Sequence, residues 1–105
     1  MRIPDLAFLR ADRLQGVDVH QRLQGAPDLA IEIASPSDQP DDRARKAQQY
    51  LAAGARAVWV LYPEARLAYL YRPGERIEVR DDNQSLDNAE LLPGFSVPLS
   101  TILGA

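Results

Sequence analysis

Between Asp28 and Ala34 the chain alternates, with Leu29, Ile31 and Ile33 on one side and Asp28, Ala30, Glu32 and Ala34 on the other. A period of two over such a run predicts a strand with one apolar face. The second face sets carboxylates among alanines, which leaves Glu32 room around it: a glutamate there is either solvated or used. Upstream, residues 2–10 are mostly apolar, with Pro4 near the start where a strand tolerates a missing N–H, and predict another strand. Residues 11–26 are polar, contain Gly16, Gly25 and the sole histidine, His20, and predict a loop that returns the chain to the strand at 28–34. With no second histidine to share a metal, His20 reads as an ordinary loop residue.

After that strand, Ser35-Pro36-Ser37-Asp38-Gln39-Pro40 is dense in helix-start signals, and Pro40 suits a first helical turn. A helix is predicted from Asp41 to Ala53, with Asp41 and Asp42 near its positive end and Gly54 as its stop. Ala44, Ala47, Tyr50 and Leu51 supply the expected buried stripe. Arg43, Lys46 and Tyr50 share an adjacent edge, because residues three and four apart stack on a helix surface. Residues 57–62 are continuously apolar, as in a strand covered on both faces. Strand, helix and strand with short links predict a right-handed crossover between two parallel strands. Leu67, Tyr69 and Tyr71 alternate with Ala68 and Leu70, Pro73-Gly74-Glu75 turns the chain, and Ile77 and Val79 alternate with charges, which reads as a hairpin. Residues 81–88 are expected to form an acidic loop. Residues 91–98 are too rich in proline for a central strand and are expected to pack as a cover, followed by a short helical turn at 100–103.

Composition narrows this picture. The 105 residues are read as one small domain, 1–105, with 46% hydrophobic and 26% charged residues. No apolar run reaches the roughly 20 residues that span a bilayer, and no signal-peptide core follows Met1. The absence of cysteine excludes disulfides and thiolate zinc sites; a cytoplasmic setting is expected. A net charge of −3 argues against coating nucleic acid by bulk electrostatics, while a local basic groove stays open. Of the twelve basic residues eleven are arginine, so Lys46 stands out as a compact point charge with an adjustable pKa.

The candidate chemistry turns on which acids meet. If the strands at 2–10 and 28–34 pair antiparallel, the start of the first lies beside the end of the second, bringing Asp5 near Glu32. Asp28, four residues before Glu32, lies about 13 Å away at roughly 3.3 Å per residue, at the wrong end to share an ion with it. The helix bearing Lys46 begins just past the strand's carboxyl end, and the crevice beyond strand ends at a crossover is where open α/β sheets bind ligands. Asp5, Glu32 and Lys46 can thus converge. Two carboxylates hold Mg²⁺, and an ammonium orients the attacking water or stabilises charge on a phosphodiester. The plainer reading makes the acids solvated turn and strand residues and Lys46 a surface residue.

Pro4-Asp5-Leu6-Ala7-Phe8, then residues 26–38 with Pro27-Asp28 and Glu32, then Lys46 with Tyr50-Leu51-Ala52-Ala53-Gly54, residues 58–63 and Leu92-Pro93-Gly94-Phe95 together resemble the Uma2 family of putative restriction endonucleases, within the PD-(D/E)XK nuclease superfamily. The likeness runs over nearly the whole chain. It implies a restriction-endonuclease-like α/β fold: a mixed sheet with a strand-helix-strand crossover and a C-terminal hairpin. It also implies Mg²⁺-dependent cleavage of DNA, with Mn²⁺ as a substitute ion. Asp5 is then the Pro-Asp acid and metal ligand, Glu32 the second acid and metal ligand, and Lys46 the catalytic lysine, since the position two after Glu32 is Ala34. Asp28 takes an outer-shell or structural role.

Family members resemble this chain only after a preceding segment of several tens of residues, which supplies a further acid and a first strand. The chain is therefore expected to be N-terminally short, with an exposed edge at 2–10 that invites pairing into a homodimer. The competing function is a non-catalytic remnant of the nuclease fold, a dimerising or nucleic-acid-binding module.

Overall fold

A computed structural model describes residues 6–8, 27–35 and 39–104. In chain order the elements are β1 (Leu6–Phe8), β2 (Leu29–Ile33), α1 (Pro40–Ala52), β3 (Ala57–Tyr62), β4 (Leu67–Tyr71), β5 (Glu78–Asp81), β6 (Ser85–Asp87), β7 (Ser96–Pro98) and α2 (Leu99–Leu103). The strands β1 to β5 form one mixed sheet in sequence order, and β6 and β7 form a separate pair. The expected α/β restriction-endonuclease-like architecture, with its crossover and C-terminal hairpin, is what this chain adopts.

Each pairing follows from the pattern that predicted it. Strand β1 runs antiparallel to β2, with Leu6 opposite Ile31 and Phe8 opposite Leu29. The crossover through α1 sets β2 parallel to β3, Glu32 beside Val60 and Ile31 beside Trp59. Strands β3, β4 and β5 then meander antiparallel. Strand β3 is buried on both faces from Ala57 to Leu61, as an uninterrupted apolar run requires.

The two faces of the sheet are covered differently. On one, Ala30, Val58, Val60 and Tyr71 pack under α1 through Ala47 and Tyr50. On the other, Leu29, Ile31, Trp59, Leu61 and Leu70 pack with Leu86 and Leu99, which arrive from β6 and the start of α2. Residues 91–98 thus serve as the expected cover, but 85–87 and 96–98 also pair as strands, which the sequence reading did not anticipate. Three-residue strands are too short to show a period, and Pro98 is tolerated because this two-stranded ladder has only edges.

Helix α1 starts with Pro40 at its first position and has Asp41 and Asp42 in its first turn. It stops as expected at Gly54, whose φ of +113° lets the Ala55 amide reach the Tyr50 carbonyl at 3.0 Å and its own amide reach the Leu51 carbonyl at 3.1 Å. Its buried stripe differs from the expected one: Ala44 is exposed. Ala44 lies about 100° round the helix from Arg43, and the face that meets the sheet is centred on Arg43, Lys46, Ala47 and Tyr50. A buried carboxylate on β2 needs donors opposite it, and that requirement sets the rotation of the helix.

Candidate active site

Glu32 is the fourth of the five residues of β2, on the face that α1 covers, and is 2% exposed. A carboxylate taken from water to that depth must find compensating partners. All three of its partners among the described residues come from α1. The Lys46 ammonium nitrogen lies 3.0 Å from Oε1. The Tyr50 hydroxyl donates to the same oxygen at 2.9 Å. The Arg43 guanidinium donates through Nη1 to Oε2 at 3.1 Å. Positions 43, 46 and 50 stand three and four apart, so one helix face presents an arginine, a lysine and a phenol to a single acid. No buried side-chain nitrogen or oxygen lacks a partner among the described residues.

The small residues foreseen around Glu32 make this fit. Ala30, two residues before it on the same face, is fully buried, and Ala47 occupies the helix face between Lys46 and Tyr50 at 1% exposure. Larger side chains at either position would hold the helix away from the strand. Beyond Arg43 the sheet continues as a tyrosine edge, Tyr62 and Tyr69 meeting with ring centroids 5.0 Å apart. Burial and the neighbouring Tyr69 raise the Tyr62 phenol above its usual value of 10.0, against a smaller downward pull from Arg43. Tyr71 is raised as well, chiefly by burial.

The structure thus brings Glu32 and Lys46 together. Asp28 stands at the other end of β2, 4% exposed, where its carbonyl accepts the amides of Arg56 and Ala57 at 2.9 and 3.1 Å and anchors the start of β3. Asp5, His20 and the turn residues Pro36, Ser37 and Asp38 lie outside the described residues. Arg43 and Tyr50 had been read as an edge and a core residue of α1, not as partners of Glu32. The signal was present in their spacing with Lys46, and pointed to Glu32 once a buried acid was placed opposite.

Restriction-endonuclease-like proteins generally use divalent metals, and Mg²⁺ is commonly held by one or two carboxylates while keeping several waters. A carboxylate oxygen has about two acceptor positions. Lys46 and Tyr50 fill those of Oε1, and Arg43 takes one of Oε2. Glu32 therefore fits as one hard-oxygen ligand, through Oε2. Among the described residues no group of three or more His, Cys, Asp or Glu side chains converges.

A groove of about 200 Å³ opens on the opposite face of the sheet, beside Trp59, Leu70 and Arg80. Its arginines are already paired, Arg72 with Glu75 at 2.7 Å and with Glu78 at 2.6 Å, and Arg80 with Glu78 at 2.6 Å. No helix among the described residues is long and apolar enough to cross a membrane.

The chain is similar in fold to the crystal structure of a protein from Anabaena variabilis described as a putative nuclease belonging to DUF820. That likeness has a TM-score of 0.69 at 23% identity and covers 74% of this chain and 44% of the other. This chain thus spans less than half the length of that neighbour. No curated protein matches. The family described as "Uma2: Putative restriction endonuclease" matches residues 1–100, nearly the whole sequence. On that match, the buried acid of β2 and the lysine of α1 stand in a chain that belongs to the Uma2 family.

Proposed function

We propose that this chain is a cytoplasmic nuclease domain that hydrolyses DNA phosphodiester bonds with a divalent cation, Mg²⁺ or Mn²⁺, held by Asp5 and Glu32. The observation that carries the reading is the contact of Lys46 with Glu32 at 3.0 Å, at the carboxyl end of a parallel strand. The antiparallel ladder in which Leu6 faces Ile31 agrees with the antiparallel pairing on which the expectation for Asp5 as the second acid rests. When bound, the cation would supply Lewis acidity to a phosphoryl oxygen and acidity to a water. Glu32 contributes an oxygen whose direction is fixed from behind by Tyr50. Lys46 holds a positive charge beside the acid, suited to the negative charge that grows on phosphate. Asp28 takes an outer-shell or structural role, and its backbone carbonyl anchors the start of β3.

Plasmid nicking with Mg²⁺ or Mn²⁺ tests this, comparing the wild type with Glu32→Ala and Lys46→Met, each checked for folding by circular dichroism. The expected result is metal-dependent nicking that falls about a hundredfold or more in both variants. Nicking that persists in EDTA, or in a folded Glu32→Ala protein, would sink the reading.

A second reading has its own observation. Arg43 and Lys46 together already offset the charge of Glu32, as in the relic of an ancestral site. The chain would then be a non-catalytic nuclease-fold module that binds nucleic acid or forms a homodimer, with β1, the outermost strand of the sheet among the described residues, as the pairing edge. A protein that stays intact and folded, yet neither nicks DNA nor gains thermal stability from millimolar Mn²⁺, would establish it.

A further inference from the structure

Arg43 is the partner of Glu32 for which the proposed chemistry has no use. Lys46 and Tyr50 together fill Oε1, whereas Arg43 sits on Oε2, the oxygen with an acceptor position to spare. Resting on the metal site described above, we propose that Arg43 is a stand-in cation, which occupies the metal-facing oxygen of Glu32 while no divalent ion is bound and gives it up when one arrives.

The need for such a residue follows from burial. A site that collects acids for a cation leaves them facing one another, out of water, whenever the cation is gone. Glu32 is 2% exposed, and Arg43 supplies a positive charge directly on the oxygen in question. The placement of Arg43 also suits departure. Its side chain is 14% exposed against 2% for the acid it holds, and it projects from the first turns of α1, next to the tyrosine edge at Tyr62. Lys46 and Tyr50 reach Glu32 from deeper along the helix and keep the carboxylate in place after the arginine leaves.

The two cations exclude each other. A guanidinium and a divalent ion sharing one carboxylate oxygen stand a few ångströms apart, with little water between them to screen the repulsion. Metal affinity is then lowered by the occupancy of the arginine, as any ligand is weakened by a competing state of its site.

The test is a calorimetric titration of Mn²⁺ into the wild type, Arg43→Gln, Arg43→Lys, Arg45→Gln and the double variant Arg43→Gln/Glu32→Gln. Arg45 is the charge control, 70% exposed on the same helix and 3.8 Å from Asp42. Expected is a roughly tenfold tighter Mn²⁺ affinity in Arg43→Gln, within the range of ordinary couplings between sites. Arg43→Lys and Arg45→Gln stay near the wild type, and the gain vanishes in the double variant. Equal, Glu32-dependent affinity in wild type and Arg43→Gln overturns the stand-in role and leaves the metal site standing. Equal tightening by Arg45→Gln reduces the effect to bulk charge and also overturns it, and no binding by any protein overturns the role and the site together. Should Arg43→Gln fail to fold, side-chain ¹⁵N resonances of the wild type decide, with Arg43 assigned through Arg43→Lys. Its guanidinium signal moves toward that of a free arginine as Mg²⁺ is added; a signal unmoved at saturating Mg²⁺ overturns the proposal.

Discussion

Two glutamates on opposite faces of the same sheet have nearly the same partners and opposite circumstances. Glu32 on β2 is held by Arg43, Lys46 and Tyr50 and is 2% exposed. Glu78 on β5 is held by Arg72 and Arg80 and is 36% exposed. The contacts at Glu78 are the shorter ones, 2.6 Å against 3.0 and 3.1 Å. Distance therefore ranks the pairs the wrong way round. Water at Glu78 screens the pairs and stands ready to replace either partner, so such surface bridges contribute about 0–1 kcal/mol each. At Glu32 water is excluded, and the same kind of contact becomes an obligation: each charge there is tolerable only because the others are present. A cluster of obligations is where a fold can hold strain for a function, whereas a cluster of options is decoration on an edge strand.

The comparison breaks most visibly if Glu32 can be neutralised cheaply. Glu32→Gln leaves Arg43 and Lys46 facing an uncharged amide, and the expected loss is about 3 kcal/mol, the low end for breaking a buried pair. The low end applies because both cations keep some access to water, at 14% and 18% exposure. Urea unfolding at pH 7 measures it, and a loss under about 1 kcal/mol would make Glu32 energetically equivalent to a surface acid.

Tyr50→Phe makes a finer cut. It removes one hydroxyl, keeps the ring that packs against Ala30 and Val58, and leaves Oε1 with Lys46 alone. A hydrogen bond to a charged group is worth about 1.5–3 kcal/mol, and the remaining lysine offsets part of the loss, so about 1–2 kcal/mol is expected in the same urea series. A neutral Tyr50→Phe would mean that ring burial alone keeps the tyrosine there.

What the sequence made legible follows the same division. The alternation at 28–34, the unbroken apolar run at 57–62 and the Gly54 stop located β2, β3 and α1, because each is a local pattern imposed by burial on one or two faces. Small neighbours at Ala30 and Ala34 left room around Glu32, which read as an acid either solvated or used. Two things were out of reach. The rotation of α1 depends on what lies across from it, so Ala44 looked as buried as Ala47 until Glu32 supplied the reason to turn Arg43 inward. The pair β6 and β7 rests on Leu86 and Val97 filling the far face, a long-range fit that three-residue strands cannot announce.

The smallest effect belongs to Glu78, and its pH dependence sharpens the contrast most. A hydrogen bond from Arg80 is the main cause that lowers its carboxyl below the ordinary 4.5; burial opposes it, and the charges of Arg80 and Arg72 and a hydrogen bond from Arg72 add to the lowering. A carboxyl lowered in the folded state stabilises fully above its unfolded value, and loses that contribution as the pH falls through the lowered one. Wild type and Glu78→Gln should thus differ by no more than about 1 kcal/mol at pH 7. The difference should hold down to about pH 4.5 and close below it as Glu78 takes up its proton. Thermal unfolding of the two proteins from pH 7 to pH 3, at low salt and again at 1 M salt, reads this directly. Added salt should shrink the gap, because exposed charges are screened. A gap that widened toward low pH, or one that ignored salt, would mean that Glu78 works as a buried group in spite of its exposure. The contrast drawn from the two faces would then rest on something other than water.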